Sequence, residues 1–221
     1  MNALNILPLD LPNPENFSIQ TKKLINCIDS ADRLVSNLDH LSSSAGGLTS
    51  AKIRCLLNNL VSYPGTRYME IGVYHGATHT SALYKNNPEY HVAIDLIGGD
   101  DLYTFNSNCR RILGKEANLI SGDCWKIDPL ERGINNINVY FYDGDHSQES
   151  TRKAFTHYYP CLANEFIILV DDWLRPEVAT GVLEGMRDVG LKYEFAKILP
   201  ARASDDDENW WSGLFVASCT K

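Results

Sequence analysis

The stretch R-Y-M-E-I-G-V-Y-H-G, residues 67–76, decides the fold of this chain. A short strand-like run, 67–71, leads directly into a turn that carries two glycines, Gly72 and Gly76, four positions apart. The dinucleotide fingerprint places its glycines two and then three apart, so that the backbone wraps a pyrophosphate at the start of a helix. This turn has different spacing, which predicts a ligand-binding loop of another kind.

Short apolar runs alternate with longer amphipathic stretches through the rest of the chain. The predicted strands are residues 67–71, 90–95, 118–121, 137–142 and 166–170. This alternation predicts a parallel sheet with crossover helices. Two further runs, 193–199 and 214–218, have no helical stretch between them and are predicted to pair antiparallel. The predicted fold is therefore α/β: a Rossmann-like, doubly wound sheet, mostly parallel, with an antiparallel strand at one edge.

Two helices are predicted before the first strand. Apolar residues recur every three or four positions over residues 21–41, the spacing of one helical face. A second helix is predicted over residues 50–62, capped by Thr49 or Ser50 and stopped by Pro64-Gly65. Three prolines within residues 1–20 predict an arm instead of a regular helix. We expect residues 1–48 to form an arm and helix that could act as a lid, and residues 49–221 to form the ligand-binding domain.

Composition excludes several classes of protein. The chain has 20 Lys and Arg against 28 Asp and Glu, a net charge of −8, which argues against binding to nucleic acid. Its longest wholly apolar run, 166–170, is far shorter than the ~20 residues that cross a membrane. The first basic residue is Lys22, so no secretory signal is expected and the protein is predicted to be cytoplasmic. The six cysteines are scattered without a C-x-x-C pair, which indicates reduced packing residues.

Every predicted parallel strand ends at or near a carboxylate. They are Glu70, Asp95, Asp123, Asp143 and the pair Asp171-Asp172. Ligands in open α/β sheets bind beyond the carboxyl ends of the strands, so these side chains are expected to share one rim. Like charges crowded together repel and raise one another's pKa, so a cation or a hydroxyl-rich ligand would explain their presence. Asp95 could accept hydrogen bonds from both hydroxyls of a ribose. Asp123 could bind an adenine amino group, or it could be a turn residue.

Three motifs carry a resemblance to a known family. They are the E-x-G-V-x-x-G loop of residues 70–76, the D-G-D-H stretch of residues 143–146 and the paired acids of residues 171–172. From about Ser50 onward the chain resembles the class I S-adenosylmethionine (SAM)-dependent methyltransferases. Within that class it is similar to the metal-dependent sugar O-methyltransferases of macrolide and aminocoumarin antibiotic pathways. The resemblance implies methyl transfer to a hydroxyl of a small molecule that contains a sugar or a diol. The implied cofactor-binding residues are Glu70, Gly72, Tyr74, Gly76, Asp95, Asp123, Cys124 and Asp143.

Such a transfer needs a deprotonated hydroxyl, which a divalent ion would assist. Asp143, Asp171 and Asp172 are the predicted ligands, and their all-oxygen character favours Mg²⁺, Mn²⁺ or Ca²⁺, with Mg²⁺ expected. His146 and Asp145 compete for the role of general base. The unperturbed pKa of histidine, about 6.5, suits the task better than that of an aspartate beside a cation, so His146 is favoured.

Other residues are assigned weaker roles. Trp173 and Arg175 could line an acceptor pocket, although packing is the commoner role for such a tryptophan. The segment 205–211, an acidic run followed by two tryptophans, is interpreted as a solvated loop, with an aromatic lid as the alternative. His75 and His79 have no acidic partner in the local sequence and are assigned no function.

Two other functions remain open at this stage. Asp143-Gly144-Asp145 is also the D-x-D pattern with which glycosyltransferases hold Mn²⁺ and a nucleotide sugar, but that reading leaves the residue 70–76 loop unexplained. The third hypothesis, after the methyltransferase and the glycosyltransferase, is a non-catalytic binding protein of the same fold. The partner expected is a small-molecule acceptor, with no nucleic acid and no membrane, and the protein could be a homo-oligomer.

Overall fold

A computed structural model describes residues 14–221. The α-helices are α1 Ile19–Asp32, α2 Ala51–Val61, α3 Ala77–Leu83, α4 Gly99–Leu113, α5 Gln148–Tyr158 and α6 Pro176–Asp188. The strands are β1 Arg67–Ile71, β2 Tyr90–Asp95, β3 Leu119–Ser121, β4 Ile137–Tyr142, β5 Leu162–Val170, β6 Lys192–Leu199 and β7 Leu214–Thr220. Every predicted strand is present. The predicted N-terminal arm lies mostly outside the described residues.

The seven strands form one sheet in the order β3-β2-β1-β4-β5-β7-β6. Strands β1 to β5 are parallel, whereas β7 runs antiparallel to both of its neighbours, β5 and β6. The predicted α/β sheet with an antiparallel strand toward one edge is therefore confirmed, and β7 lies one strand in from that edge. The order reverses at β1 and β4, where the connections to β2 and β5 leave in opposite directions, and such a point is where α/β sheets bind ligands.

The two faces of the sheet bury different helices. Alternate residues of a strand point to opposite faces, so Met69 and Ile71 of β1 pack in the cluster that contains α5 and α6, whereas Tyr68 packs with α1 and α2. Helix α4 covers the β2 end of that second face through Phe105 and Cys109. Helix α1 packs in the same cluster as α2 and the strands, so the N-terminal helix is part of the helical layer.

The first helix is shorter than its apolar periodicity predicts. It ends at Asp32, and Leu34 has a left-handed backbone with φ of 56°. Side chains of α2 hold the chain beyond this point: Asn59 Nδ2 donates to Val35 O at 2.8 Å and Asn58 Oδ1 accepts from Asn37 N at 3.1 Å. Leu34 and Val35 are consequently exposed. The expectation of a helix to Leu41 is therefore wrong, because hydrogen bonds to α2 replace the last turns of the helix.

The remaining expectations about covalent and membrane features can be compared directly. All six cysteines are free thiols and five of them are buried, as expected for packing residues. The second helix begins after Ser50, whose hydroxyl accepts from Ile53 N. Among residues 14–221, no helix has the length and apolar character needed to span a membrane.

Candidate active-site cleft

A cleft of about 500 Å³ opens at the carboxyl ends of the parallel strands, where the order of the sheet reverses. A neighbouring cavity of about 180 Å³ shares Gly72, Asp95, Gly144 and Asp145 with it, so the two form one elongated depression. The predicted carboxylates from four strand ends, β1 excepted, line one or both cavities. The sequence-based expectation of a shared rim thus agrees with the structure at all strands but the first.

The glycine loop crosses β4 at very short range. Gly72 has a φ of 83°, and a Cβ atom built on it would lie 1.9 Å from the backbone oxygen of Asp143. Gly76 has a φ of 81° and caps α3, and its Cβ would lie 2.9 Å from the ring of Phe105. Only glycine combines a left-handed backbone with this close approach. These two glycines are therefore required for packing the loop against protein, which leaves the loop surface open to the cleft.

Asp95 holds the same loop by hydrogen bonds. One oxygen, Oδ2, accepts from the backbone N–H of Val73 at 2.7 Å and of Tyr74 at 2.8 Å. Within the described residues no hydrogen bond engages the second oxygen, Oδ1. Asp95 lines both cavities, so it can fix the loop with one oxygen and bind a ligand with the other.

Glu70 lies beneath the loop and not in the cleft. It is fully buried and accepts hydrogen bonds from the hydroxyl of Tyr68 at 2.8 Å, from the hydroxyl of Thr78, and from Nδ1 of His79 at 2.8 Å. The sequence predicts that this residue binds cofactor, but its carboxylate is surrounded by protein groups. Its position joins the end of β1 to helix α3, so it supports the loop from below. The sequence gives His79 no role, because its partner lies nine residues away across a turn.

The other predicted cofactor residues have separate surroundings. Tyr74 is 46% exposed, lines the larger cavity and stacks on the ring of His75 with 3.7 Å between ring centroids. Asp123 accepts from Trp125 N at 3.0 Å, which is its alternative role as a turn residue, and it lines the smaller cavity together with Cys124. Burial raises the pKa of the Cys124 thiol to about 11, so the thiol stays protonated at neutral pH.

Three side chains converge at the floor of the cleft. Atoms that could ligate a metal in Asp143, His146 and Asp172 lie within 4.8 Å of one another. His146 Nε2 lies 2.6 Å from Asp172 Oδ2 and 3.6 Å from Asp143 Oδ1. Both distances are within ion-pair range, although Nε2 has no aligned hydrogen-bond partner among the described residues. A set of two carboxylates and one imidazole at this spacing can also hold a divalent ion.

The electrostatics of these three groups reflect their crowding. Loss of solvation raises the pKa of Asp143 to about 7, against the lowering influence of His146. The carboxylates of Asp143 and Asp172 raise the pKa of His146 to about 10. Burial acts to raise the pKa of Asp172, but contacts with His146 and the Ser212 hydroxyl lower it overall. Asp172 also has a left-handed backbone, with φ of 59°, which is unusual for a non-glycine residue and occurs at functional sites.

Asp171 does not join this cluster, although the sequence predicts it as a metal ligand. Its side chain is 2% exposed, it lines the cleft, and its Oδ1 has no hydrogen-bond partner. Burial and the neighbouring carboxylates raise its pKa well above the usual range. The cation-type cluster therefore contains His146 where the sequence suggests Asp171, because the turn after β4 brings the histidine ring toward Asp172.

Asp145 and His146 face different environments. Asp145 is exposed, and its Oδ2 accepts from the hydroxyl of Ser147 at 2.6 Å, beside the start of α5. Hydrogen bonds from Ser147 and Ser150 lower its pKa. Asp145 also does not converge with Asp143, which disfavours the D-x-D arrangement of a glycosyltransferase. Of the two candidate bases, only His146 lies with the residues at the cleft floor.

Two loops form the walls of the cleft. Residues 47–49, before α2, form one wall, and Ser204, Asp205, Trp211 and Ser212 form another. The prediction of a solvated loop at 205–211 agrees with the exposure of Asp205, Asp207 and Glu208, but Asp206 and Trp210 are buried. Asp206 is buried there, because it accepts from Arg202 at 2.9 Å and bridges to Trp211.

The residues that follow the paired acids have different structural roles. Trp173 packs on the ring of Phe215, with centroids 5.3 Å apart, so its role is packing. Arg175 lines the cleft, and its Nε lies 3.6 Å from Asp172 Oδ1. Backbone bonds from Trp173 to Gly213 and from Leu174 to Ser212 fix this turn against the start of β7.

The strand order and the antiparallel β7 match the α/β fold of solved methyltransferase structures. A family model described as a methyltransferase domain matches residues 69–173, the segment that runs from β1 to the turn after β5. Comparison with curated protein sequences gives no match.

Solved structures share this fold at low identity. One is the O-methyltransferase TomG from Streptomyces achromogenes, described as involved in tomaymycin synthesis and solved in complex with SAM. It is 15% identical to this chain with a TM-score of 0.61, and the match covers 93% of this chain and 100% of TomG. An O-methyltransferase from Bacillus cereus, solved with S-adenosylhomocysteine (SAH), is 10% identical with a TM-score of 0.56, over 99% and 94%. SMU.776, also solved with SAH, is 14% identical with a TM-score of 0.59, over 80% of this chain. The chain spans about half the length of SMU.776.

Proposed function

We propose that the protein is a SAM-dependent O-methyltransferase that acts, with the help of a divalent cation, on a hydroxyl of a small molecule. One observation carries the proposal: a loop of the methyltransferase type, fixed by Asp95, borders the same cleft as the cluster of Asp143, His146 and Asp172. The first feature suits a nucleoside-bearing methyl donor, and the second suits a hydroxyl that must be oriented and deprotonated.

SAM would lie along the elongated depression formed by the two cavities. The ribose hydroxyls would hydrogen-bond to Asp95, whose Oδ1 has no partner within the described residues. The adenine would lie in the smaller cavity beside Asp123, Cys124 and Trp125. The loop of residues 72–76 would support the methionine part, and Glu70 would act only by holding that loop.

A cation would be held by Asp143, His146 and Asp172. Loss of solvation raises the pKa of Asp143, so its negative charge is disfavoured there, and a positive ion would offset that cost. When bound, such an ion supplies a Lewis acid that lowers the pKa of a coordinated hydroxyl and fixes its direction. The mixed oxygen and nitrogen donors suit Mn²⁺ or another first-row ion at least as well as the Mg²⁺ expected from three carboxylates.

The chemical step is a displacement at the methyl carbon of the sulfonium. The acceptor hydroxyl loses its proton, its oxygen forms a bond to the methyl carbon, and the carbon–sulfur bond breaks with its electron pair left on sulfur. Neutral SAH and a methyl ether are the products. In this arrangement His146 is a ligand of the cation, so the buried carboxylate of Asp171, whose Oδ1 has no hydrogen-bond partner among the described residues, would take the proton.

The acceptor is proposed to be a small hydroxylated molecule such as a sugar or a diol. Trp211, between the acidic loop and the cleft, provides a flat apolar surface on which a sugar ring could stack. Asp145 is turned toward Ser147, so the geometry gives no support to the glycosyltransferase reading.

Calorimetric titration tests the proposal before any acceptor is known. EDTA-treated protein is titrated with SAM and with SAH, each with and without Mg²⁺ or Mn²⁺, and UDP-glucose with Mn²⁺ serves as the control. We expect SAM and SAH to bind with micromolar affinity and UDP-glucose not to bind. Binding of UDP-glucose without binding of SAH would overturn the proposal.

Asp172→Asn separates the roles of the two ends of the cleft. The variant should lose metal binding while its affinity for SAH changes by less than about tenfold, or about 1.4 kcal/mol. Asp95→Asn is the matched variant and should show the reverse, with weakened SAH binding and unchanged metal binding. Equal loss of both ligands in both variants would contradict the division.

A further inference from the structure

A second cavity of about 430 Å³ lies next to the active-site cleft and is separated from it by the segment at Thr49, which lines both. Its walls come from the chain after α1, from the beginning of α2 and from the acidic loop. Leu34 and Leu38 give it apolar walls, and Arg54 and Asp207 are the charged residues that line it. None of the proposed catalytic groups reaches this cavity.

Arg54 carries a buried charge that no carboxylate neutralises. Its side chain belongs to a residue that is only 9% exposed, and Nη2 donates to the backbone oxygen of Ala45 at 2.7 Å. The other terminal nitrogen, Nη1, is buried and has no hydrogen-bond partner among residues 14–221. Across residues 14–221 no acidic side chain forms an ion pair with Arg54. Burial of an unpaired charge is costly, so proteins normally pair it or use it to bind a ligand.

Two further groups beside Arg54 are unpaired hydrogen-bond donors. The hydroxyl of Thr49, a residue that is also 9% exposed, is buried without a partner. Helix α2 begins at Ala51, which lines the cavity, and within the described part of the chain the amides of Ala51 and Lys52 have no acceptor. The N-terminus of a helix carries a partial positive charge and free N–H groups, both of which favour an anion.

We propose that this cavity is a binding site for an oxyanion, a phosphate or carboxylate group, held by Arg54, the Thr49 hydroxyl and the N-terminal amides of α2. The anion supplies the countercharge that Arg54 lacks and the acceptors that the three kinds of donor lack. It is either a free ion or the charged arm of the molecule that occupies the neighbouring cleft. The anion site itself does not depend on the proposed methyltransferase activity.

Calorimetric titration of the EDTA-treated protein with inorganic phosphate, and separately with acetate, tests the site. Wild-type protein should bind phosphate saturably, and Arg54→Met should weaken binding at least tenfold. Asp207→Asn removes a negative charge from the wall and should tighten binding about threefold. Arg33→Met, which removes an exposed arginine outside the cavity, is the control and should leave the affinity unchanged.

Two results would overturn the proposal: no saturable binding of phosphate or acetate by the wild-type protein, or binding that Arg54→Met retains. If Arg54→Met fails to fold, Thr49→Val preserves the side-chain shape and should weaken phosphate binding at least fivefold. Unchanged affinity in a folded Thr49→Val protein would also count against the site.

A comparison of ribose 5-phosphate with inorganic phosphate, in the presence of SAH and Mg²⁺, identifies the source of the anion. Tighter binding of ribose 5-phosphate by tenfold or more, lost in Asp172→Asn, assigns the anion to an arm of the acceptor. Equal affinity assigns the site to a free anion. Only this comparison rests on the proposed methyltransferase function. The phosphate titration without SAH or metal tests the anion site by itself, so failure of the anion site can be told apart from failure of the methyltransferase proposal.

Discussion

Replacement of Gly72 by alanine should destabilise the protein more than its left-handed backbone alone requires. The backbone conformation, with φ of 83°, costs an alanine about 1–2 kcal/mol. The new Cβ would also lie 1.9 Å from the Asp143 oxygen, so the two backbones must separate by about 1 Å to reach a contact of 3.0 Å. Forced backbone shifts of this kind cost about 1–3 kcal/mol. We therefore expect a loss of about 2–5 kcal/mol in the free energy of unfolding.

Gly65→Ala is the matched control for this effect. Gly65 has a similar φ of 76°, but a Cβ atom added to it would have no neighbour within 4 Å. The Gly65→Ala variant should therefore lose only the roughly 1–2 kcal/mol of unfolding free energy that a left-handed backbone costs an alanine. Urea denaturation followed by tryptophan fluorescence and circular dichroism gives both values, provided that the two variants keep the wild-type m-value. If the unfolding free energies of Gly72→Ala and Gly65→Ala differ by less than about 1 kcal/mol, the close approach of Gly72 to the Asp143 backbone oxygen is not what restricts residue 72.

Three further predictions follow from the groups around the cleft. In Glu70→Gln the side-chain shape is kept, but an amide NH2 that cannot accept replaces one of the two oxygens that accept from Thr78 or from Tyr68 and His79. The free energy of unfolding should therefore fall by about 2 kcal/mol in denaturant titration, and an unchanged value would mean that these buried hydrogen bonds do not stabilise the protein. Metal-free His146 is protonated at neutral pH because its pKa is raised to about 10, so an ion that binds its ring must displace a proton. Calorimetry should then show Mn²⁺ affinity rising by up to tenfold per pH unit between pH 7 and 9, and a flat profile would exclude His146 as a ligand. Asp206→Asn breaks the contact with Arg202 and should increase proteolytic cleavage of the 202–211 loop, whereas equal protection in variant and wild type would show that other contacts order it.

Sequence patterns are sufficient for the architecture because each strand carries its own signal. The apolar runs at β1, β2 and β4 predict the observed bounds, and the rule that ligands bind at the carboxyl ends of strands predicts the rim. Apolar spacing extends helix α1 too far, past Leu34, because it does not reveal side-chain hydrogen bonds from another helix. The solvated loop predicted at 205–211 fails only at its buried residues for a similar reason, since burial of Asp206 depends on Arg202 and Trp211 and not on local polarity.

The membership of the cleft floor can be predicted only in part. Asp143 and Asp172 end strands and are identified by position, but the choice between Asp171 and His146 depends on the turn after β4, which a sequence pattern does not specify. Arg54 gives no signal, and Thr49 is marked only as a candidate helix cap. Their interest arises from unpaired hydrogen-bonding groups, and these become visible only when every neighbour is known.

The position of β7 inside the sheet constrains the order in which the protein can assemble. Strand β5 is wholly apolar along residues 166–170, and its outer edge is covered only when β7 pairs with it. Until residues 214–220 emerge during synthesis, that edge is an unpaired apolar template of the kind that recruits other chains. We expect the nascent chain to depend on chaperones at this stage, and the β6–β7 hairpin to dock as a unit in the last step of folding.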